Sequence, residues 1–178
     1  TTGLAGREAI CLAALTNSSV EINIFHRTED RMRLLLSEIH NMKDYVMENP
    51  PSDEIESERW RDMVKSVKIH GENPDAKIPH LKGPRALCSS QGIFRADVIL
   101  VPLEDGDRCE ALVSMGKEVI VIDLNPLSRT STTASVTIVD EVKRAMERMV
   151  IMALEGPLNS NSDWDNRAAL VDALNEIG

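Results

Sequence analysis

The stretch "ADVILVPLEDGDRCEALVSMGKEVIVID", residues 96–123, decides the fold. It holds two unbroken apolar runs, at 96–102 and 118–123, joined by a polar loop and a segment with helical spacing. Unbroken apolar runs are typical of strands buried on both faces of a parallel sheet. Gly116 stands where a helix would end, since glycine readily adopts the left-handed conformation of a helix C-cap. The stretch therefore predicts a strand–helix–strand unit.

The rest of the chain continues this alternation. Apolar spacing and turn residues predict helices at 4–15, after the N-cap Thr28 as far as Pro50, at 54–65, 140–154 and 163–176, and strands at 20–25, 67–69 and 135–139. Residues 70–85 read as a long loop. We expect an α/β fold, a Rossmann-like three-layer domain with a mainly parallel sheet and helices on both faces.

The expected domain covers residues 1–155, with 49–66 as a surface excursion, and residues 156–178 form a C-terminal polar loop and helix. A chain of 178 residues that is 42% hydrophobic can bury a core. The net charge of −9 argues against nucleic-acid and membrane-surface partners. No apolar run is long enough to span a bilayer and no signal peptide opens the chain, so a cytoplasmic protein is expected. Three cysteines without C-x-x-C spacing predict neither a disulfide framework nor a zinc site.

Polar loops follow three of the predicted strands: "HRTED" (26–30), "LEDGD" (103–107) and "LNPLSRT" (124–130). In parallel sheets, ligands bind beyond the carboxyl ends of the strands. The carboxylate of Asp123 can accept hydrogen bonds from sugar hydroxyls, and the guanidinium of Arg129 can bind phosphate oxygens. Two interpretations stay open: a nucleotide site without a glycine-rich loop, or ordinary capped turns with a solvated arginine.

Other loops offer weaker candidates. The backbone N–H groups at the predicted helix start, Asp140 to Val142, could hold an anion, although a cap by Asp140 is the plainer explanation. Asp105 and Asp107 could contact magnesium held mainly by substrate phosphates, or could cap the next helix. Candidate substrate contacts, several of which turn chemistry would also explain, are Arg27, Asn73, Lys77, Asp105 and Arg108.

Five strings resemble the archaeal 4-phosphopantoate–β-alanine ligases, also called phosphopantothenate synthetases, of coenzyme A biosynthesis: "EINIFHRTEDR", "GENPDAKIP", "GIFRADVILVPLEDGDR", "EALVSMGKEVIVIDLNPLSRT" and "TIVDEVKRA". The resemblance runs from Thr1 to about Met146. It implies a homodimer with a Rossmann-like core that uses ATP, with Mg²⁺, to join 4-phosphopantoate and β-alanine. The implied products are 4′-phosphopantothenate, AMP and pyrophosphate, formed through an acyl-adenylate.

The resemblance also implies the ATP contacts, which fall on Asp123, Leu124, Asn125, Arg129, Thr130, Glu141 and Val142. Some relatives carry Asn at position 141, so the Glu side chain is a departure that a backbone contact would survive. Phosphopantoate is expected between "HRTED", "NPDAKIP" and "LEDGD", with Arg27 and Lys77 recognising its phosphate or carboxylate. Neither the motifs nor the resemblance identifies a catalytic acid or base.

Two departures and two alternatives remain. The resemblance implies an N-terminal region, with arginines that contact ATP, which this sequence lacks, so we expect the isolated 178-residue chain to be inactive. Residues 49–66 and the tail after about 156 are longer than in the family. A module that senses an adenine nucleotide without turnover is the main alternative. A dinucleotide oxidoreductase is disfavoured because no G-x-G-x-x-G follows a strand.

Overall fold

The computed structural model describes residues 2–102, 106–156 and 163–177. In these ranges the helices are α1 (Thr2–Leu15), α2 (Glu29–Glu48), α3 (Ser57–Ser66), α4 (Gly106–Ser114), α5 (Arg129–Thr133), α6 (Val142–Glu155) and α7 (Asn166–Ile177). The strands are β1 (Val20–Glu21), β2 (Ile69–His70), β3 (Ala76–Lys77), β4 (Leu87–Cys88), β5 (Val98–Pro102), β6 (Glu118–Ile122) and β7 (Val136–Ile138), and a 3₁₀ turn spans Pro84–Ala86. The predicted α/β class is confirmed.

The central sheet has three parallel strands in the order β5-β6-β7. Its register places Val98 beside Glu118 and Ile120 beside Val136. Val119 and Val121, in the middle strand, are fully buried. This burial explains the unbroken apolar run, because a strand covered on both faces carries apolar side chains at successive positions.

Helices cover both faces of this sheet. On one face, Val119 and Val121 pack with Leu112 of α4. On the other face, Ile122 packs with α1 and with Met146 of α6. Successive side chains of a strand point to opposite faces, so β6 contributes to both cores. Among the described residues, no helix is both long enough and apolar enough to cross a membrane.

A second core lies beneath the parallel pair β1–β2 and is covered by α1, α2 and α3. Thr28 caps α2 as predicted, with its side chain accepting the N–H of Arg31 at 3.3 Å. The helix ends at Glu48, before the two prolines. Trp60 of α3 is fully buried, and its Nε1 donates to the carbonyl of Val46 at 2.7 Å. This hydrogen bond ties α3 to the last turn of α2.

Three sequence predictions need correction. The strand predicted at 20–25 is only Val20–Glu21, because the side chain of Asn23 bonds to the carbonyls of Arg85 and Leu87 and the chain leaves the β1–β2 ladder. The predicted loop 70–85 contains β3, which pairs antiparallel with β4. The short helix α5 begins inside the predicted loop 124–130.

The Trp60–Val46 bond gives a test of the second core. We expect Trp60→Phe to lower the free energy of unfolding by about 1–3 kcal/mol, because it removes a buried donor and some packing volume. Denaturant titration followed by circular dichroism measures this change. Trp164→Phe is the matched control, since that indole is 47% exposed and should cost under about 1 kcal/mol. Equal costs for the two substitutions would contradict this role of Trp60.

Candidate functional site

Segments that follow the three sheet strands lie at one edge of the sheet. The N–H of Asp123, just after β6, donates to the carbonyl of Ile138 at the end of β7 at 3.0 Å. Arg129 of α5 forms an ion pair with Asp107 in the first turn of α4. The sheet therefore brings together the loop after β6, the start of α4 and the start of α6.

The segment 123–131, named here the rim loop, is shaped by its own side chains. One carboxylate oxygen of Asp123 accepts the N–H of Asn125 at 3.0 Å, and the other accepts the hydroxyl of Ser128 at 2.6 Å. Asn125 repeats the pattern by accepting the N–H of Leu127 at 3.0 Å. The Ser128 oxygen then accepts the N–H of Ser131 at 2.9 Å and so caps α5. Side chains that bond to the backbone a few residues ahead fix tight turns.

Ser131 lies at the centre of this network although the sequence did not single it out. Its side chain is fully buried, and its hydroxyl donates to the carbonyl of Asn125 at 2.8 Å. Its own carbonyl accepts the hydroxyl of Thr137, in β7, at 2.9 Å. Its position three residues after the cap Ser128 was the available signal, because that spacing joins an N-cap to the first turn.

The side chain of Arg129 packs against the first turn of α4. A Cβ added at Gly106 would overlap Nε of Arg129 and would lie 3.0 Å from both its Cγ and its Cζ. Only glycine leaves this space, and Asp107 in the same turn pairs with the guanidinium. The Arg129 side chain remains 60% exposed, so it is oriented by α4 while still open to a ligand.

The predicted ATP residues divide into exposed and buried groups. Leu124, Asn125 and Arg129 are exposed and Asp123 is half-buried, so these four stand on the rim. Thr130 is only 4% exposed and is therefore buried. Thr130 could therefore contact ATP only through its backbone, or after the residues that cover its side chain move.

At the start of α6 the expected cap is corrected. Glu141, rather than Asp140, is the N-cap, and its carboxylate accepts the N–H groups of Lys143 at 2.9 Å and Arg144 at 3.1 Å. These two bonds hold the pKa of Glu141 below its ordinary value. Asp140 instead accepts from Nε of Arg144 at 2.7 Å, which lowers the pKa of Asp140. The buried Val142 follows as the first helical residue.

One predicted substrate residue, Arg108, contacts Asn23, which the sequence did not single out. Arg108 is 9% exposed and donates to Oδ1 of Asn23 at 2.8 Å. Nδ2 of Asn23 donates to the carbonyl of Leu87, in β4, at 2.9 Å. The segment after β1, the start of α4 and the β3–β4 hairpin therefore meet at this amide. Asn23 falls at a polar position of the alternating stretch "VEINIF", as Glu21 does, so the local sequence gave no signal of this contact.

Other predicted contacts have different surroundings. Arg27 donates to the carbonyls of Gly71 and Glu72, the latter at 3.1 Å, and so joins the segment after β1 to the segment after β2. Asn73 is exposed and directly follows Glu72, and Lys77 is exposed in β3. Asp105 lies outside the described residues.

Two carboxylates, Glu21 and Asp75, form a hydrogen-bonded polar cluster with the segment that follows β4. Glu21 accepts the N–H groups of Ser89 and Ile93, each at 2.8 Å. Asp75 accepts the N–H of Ser90 at 2.6 Å and its hydroxyl at 2.7 Å, and these bonds lower the pKa of Asp75. The two carboxylates hold the segment that follows β4 in place.

The described residues contain no group of three or more His, Cys, Asp or Glu side chains arranged to hold a metal ion. Asp107 is an exposed carboxylate at the rim. One such ligand fits magnesium, which in nucleotide sites is bound mainly through phosphates and water. The predicted contribution of Asp107 therefore remains chemically reasonable.

The cap at Glu141 predicts a pH effect. Because its folded pKa is lowered, its contribution to stability is complete above the ordinary value of 4.5 and is lost as the pH falls through the lower folded value. We expect an NMR titration of its side-chain carboxyl to have a midpoint below 4.5. Glu141→Gln should reduce the acid-induced loss of stability, while Glu147→Gln controls for net charge. A midpoint at or above 4.5 would contradict the cap.

Comparisons with known proteins agree with the resemblance. A family model described as phosphopantothenate/pantothenate synthetase matches residues 1–177. Proteins named 4-phosphopantoate–beta-alanine ligase are similar: those of Methanosarcina mazei and Thermococcus kodakarensis are each 40% identical over 98% of this chain, which corresponds to 62% and 61% of their own lengths. That of Methanospirillum hungatei is 37% identical over 87% of this chain and 54% of its own length.

The chain thus spans about three fifths of the length of the first two of these relatives. The match covers every described segment, including the rim loop and the start of α6. The chain belongs to the phosphopantothenate/pantothenate synthetase family.

Proposed function

We propose that the protein, in its full-length form, is an ATP-dependent ligase that joins 4-phosphopantoate to β-alanine in coenzyme A biosynthesis. The observation that carries the proposal is the rim loop, folded by Asp123 and Ser128 with Arg129 exposed, in a chain 40% identical to proteins named for this ligation. The sheet that supports the loop would be part of a Rossmann-like core over residues 1–155, with 156–178 as a C-terminal segment.

The reaction has two balanced steps. The carboxylate of 4-phosphopantoate attacks the α-phosphorus of ATP, which forms an acyl-adenylate and releases pyrophosphate. The amine of β-alanine then attacks the acyl carbon, loses a proton and displaces AMP. The charge that develops on the departing pyrophosphate must be stabilised, and fixed cationic donors are effective for this purpose.

Arg129 is the residue we assign to the phosphates. Its guanidinium is already oriented by Gly106 and Asp107, so little side-chain freedom is lost when a phosphate binds. Magnesium, when bound, would neutralise phosphate charge, and Asp107 could contribute one oxygen ligand. Asp107 would then exchange its pairing with Arg129 for the ion.

The remaining predicted ATP contacts suit the sugar and the base. Asp123 uses one lone pair of each oxygen inside the loop and keeps acceptor capacity for a ribose hydroxyl. Leu124 is 68% exposed and offers an apolar surface. The carboxylate of Glu141 occupies the N–H groups of Lys143 and Arg144, and its own N–H donates to Asp140 at 2.7 Å. We therefore assign the contact at α6 to the backbone of Val142, and a contact at Glu141 would require its N–H to exchange Asp140 for the ligand.

We place 4-phosphopantoate in the crevice around Asn23. We assign recognition of its phosphate or carboxylate to Lys77, which is exposed, and to Arg27, which is half-buried, because Arg108 is almost fully buried and already donates to Asn23. Homodimer formation, as the family resemblance implies, is part of the proposal, since a second subunit could complete the crevice.

Assay of pyrophosphate release by the full-length protein tests the proposal. Release that requires ATP, Mg²⁺ and 4-phosphopantoate, together with amide product that also requires β-alanine, is the expected result. ATP binding in calorimetry without release or product would instead favour a nucleotide sensor.

Two substitutions test the placement of Arg129. We expect Arg129→Ala to lower kcat/KM for ATP by at least about tenfold, because a charged phosphate contact is lost. Gly106→Ala should give a similar loss, since its methyl group would displace the guanidinium. Steady-state kinetics of both single variants and of the double variant measure the effect. The kcat/KM of the double variant should lie within about twofold of that of Arg129→Ala, because both substitutions act on the same guanidinium.

Matched controls separate this effect from general damage. Arg33→Ala removes an exposed arginine on α2, and Gly3→Ala adds a methyl group with its nearest neighbour at 3.7 Å. Both should leave kcat/KM within about twofold of the unsubstituted protein. Fully additive losses from Gly106→Ala and Arg129→Ala would show that Gly106 does not act through Arg129.

A further inference from the structure

The first residue of α7, Asn166, joins the C-terminal helix to the middle of the fold. Its Oδ1 accepts the N–H of Thr137 at 2.7 Å. Its Nδ2 donates to the carbonyls of Ser131 at 2.9 Å and Ala134 at 3.0 Å. The single side-chain amide therefore satisfies three backbone groups from α5, its C-cap and β7.

These bonds lie on the side of β7 that faces away from β6. In the described three-stranded sheet, β7 pairs with β6 on one side. The Asn166 amide supplies an acceptor for Thr137, as a neighbouring strand would. Because the same amide also bonds to Ser131 and Ala134, it fixes the distance between β7 and the end of α5.

The bonds continue from Asn166 into the rim loop. The Ser131 carbonyl that accepts from Asn166 also accepts the hydroxyl of Thr137. The Ser131 hydroxyl donates to the carbonyl of Asn125, and the Ser131 N–H donates to Ser128. Ser128 in turn donates to Asp123. A chain of four hydrogen-bonded residues therefore links α7 to the residue that follows β6: Asn166, Ser131, Ser128 and Asp123.

We propose that Asn166 is a positioning residue for the rim loop: its amide holds Ser131, and Ser131 holds the turn from which Asn125 and Arg129 project. This inference assigns a role to the C-terminal helix. Its consequence for ATP binding rests on the proposed function, whereas its consequence for the loop itself does not.

The competing explanation is that Asn166 only fastens α7 to the domain. Leu170, one turn further along α7, is 6% exposed and also anchors the helix. No hydrogen bond of its side chain can reach Ser131 or Thr137, since leucine has neither donor nor acceptor. Leu170→Ala therefore loosens α7 without removing a bond to the rim loop, which makes it the matched control.

Amide hydrogen exchange in the full-length protein without ligand tests the positioning role. We expect Asn166→Ala to speed exchange of the amides of Asn125 and of residues 127–132 by about tenfold, because the carbonyls of Ser131 and Ala134 and the N–H of Thr137 lose their partner. Asn166→Asp keeps the acceptor for Thr137 but loses both donations, so it should give a similar increase. Leu170→Ala should leave these amides within about twofold of the unsubstituted protein.

Unchanged exchange in both Asn166 variants, or equal acceleration by Leu170→Ala, would overturn the positioning role. Calorimetric titration with ATP and Mg²⁺ gives the second measurement. Asn166→Ala should raise Kd for ATP by about tenfold while Leu170→Ala leaves it within about twofold. An unchanged Kd would overturn the link from loop to nucleotide.

A lack of ATP binding by the unsubstituted full-length protein would instead count against the proposed function. The exchange measurement would still decide whether Asn166 positions the rim loop. Failure of the inference and failure of the proposed function are therefore distinguishable.

Discussion

The carboxylate of Asp123 is the group on which the candidate site depends. Its two oxygens accept the N–H of Asn125 and the hydroxyl of Ser128, so it turns the chain directly after β6 and starts α5. Because β6 is the middle strand, this turn emerges between the ends of β5 and β7. The loop therefore lies within reach of both α4 and α6, which a turn after an edge strand would not.

Around that turn, the polar groups of the site orient one another. Arg129 rests on Gly106 and pairs with Asp107, and Glu141 satisfies the first N–H groups of α6. Such preorganisation lowers the entropy lost on binding. It also implies that Arg129 changes its partner when a nucleotide binds, because a phosphate competes with the carboxylate of Asp107 for the guanidinium.

Periodicity predicted the long helices and the buried sheet strands because their side chains repeat over many positions. Two-residue strands and the five-residue α5 are too short to carry such a signal. Asn23 was missed for another reason: its partner Arg108 lies 85 positions away, and no local pattern encodes that contact. The choice of Glu141 over Asp140 as cap was equally hidden, since both residues suit that position.

A structure of the full-length protein with Mg²⁺ and a non-hydrolysable ATP analogue tests the central claim most directly. The account predicts phosphate oxygens within hydrogen-bond distance of the Arg129 guanidinium and the ribose beside Asp123. A nucleotide bound at another edge of the sheet, with Arg129 still paired only with Asp107, would contradict it.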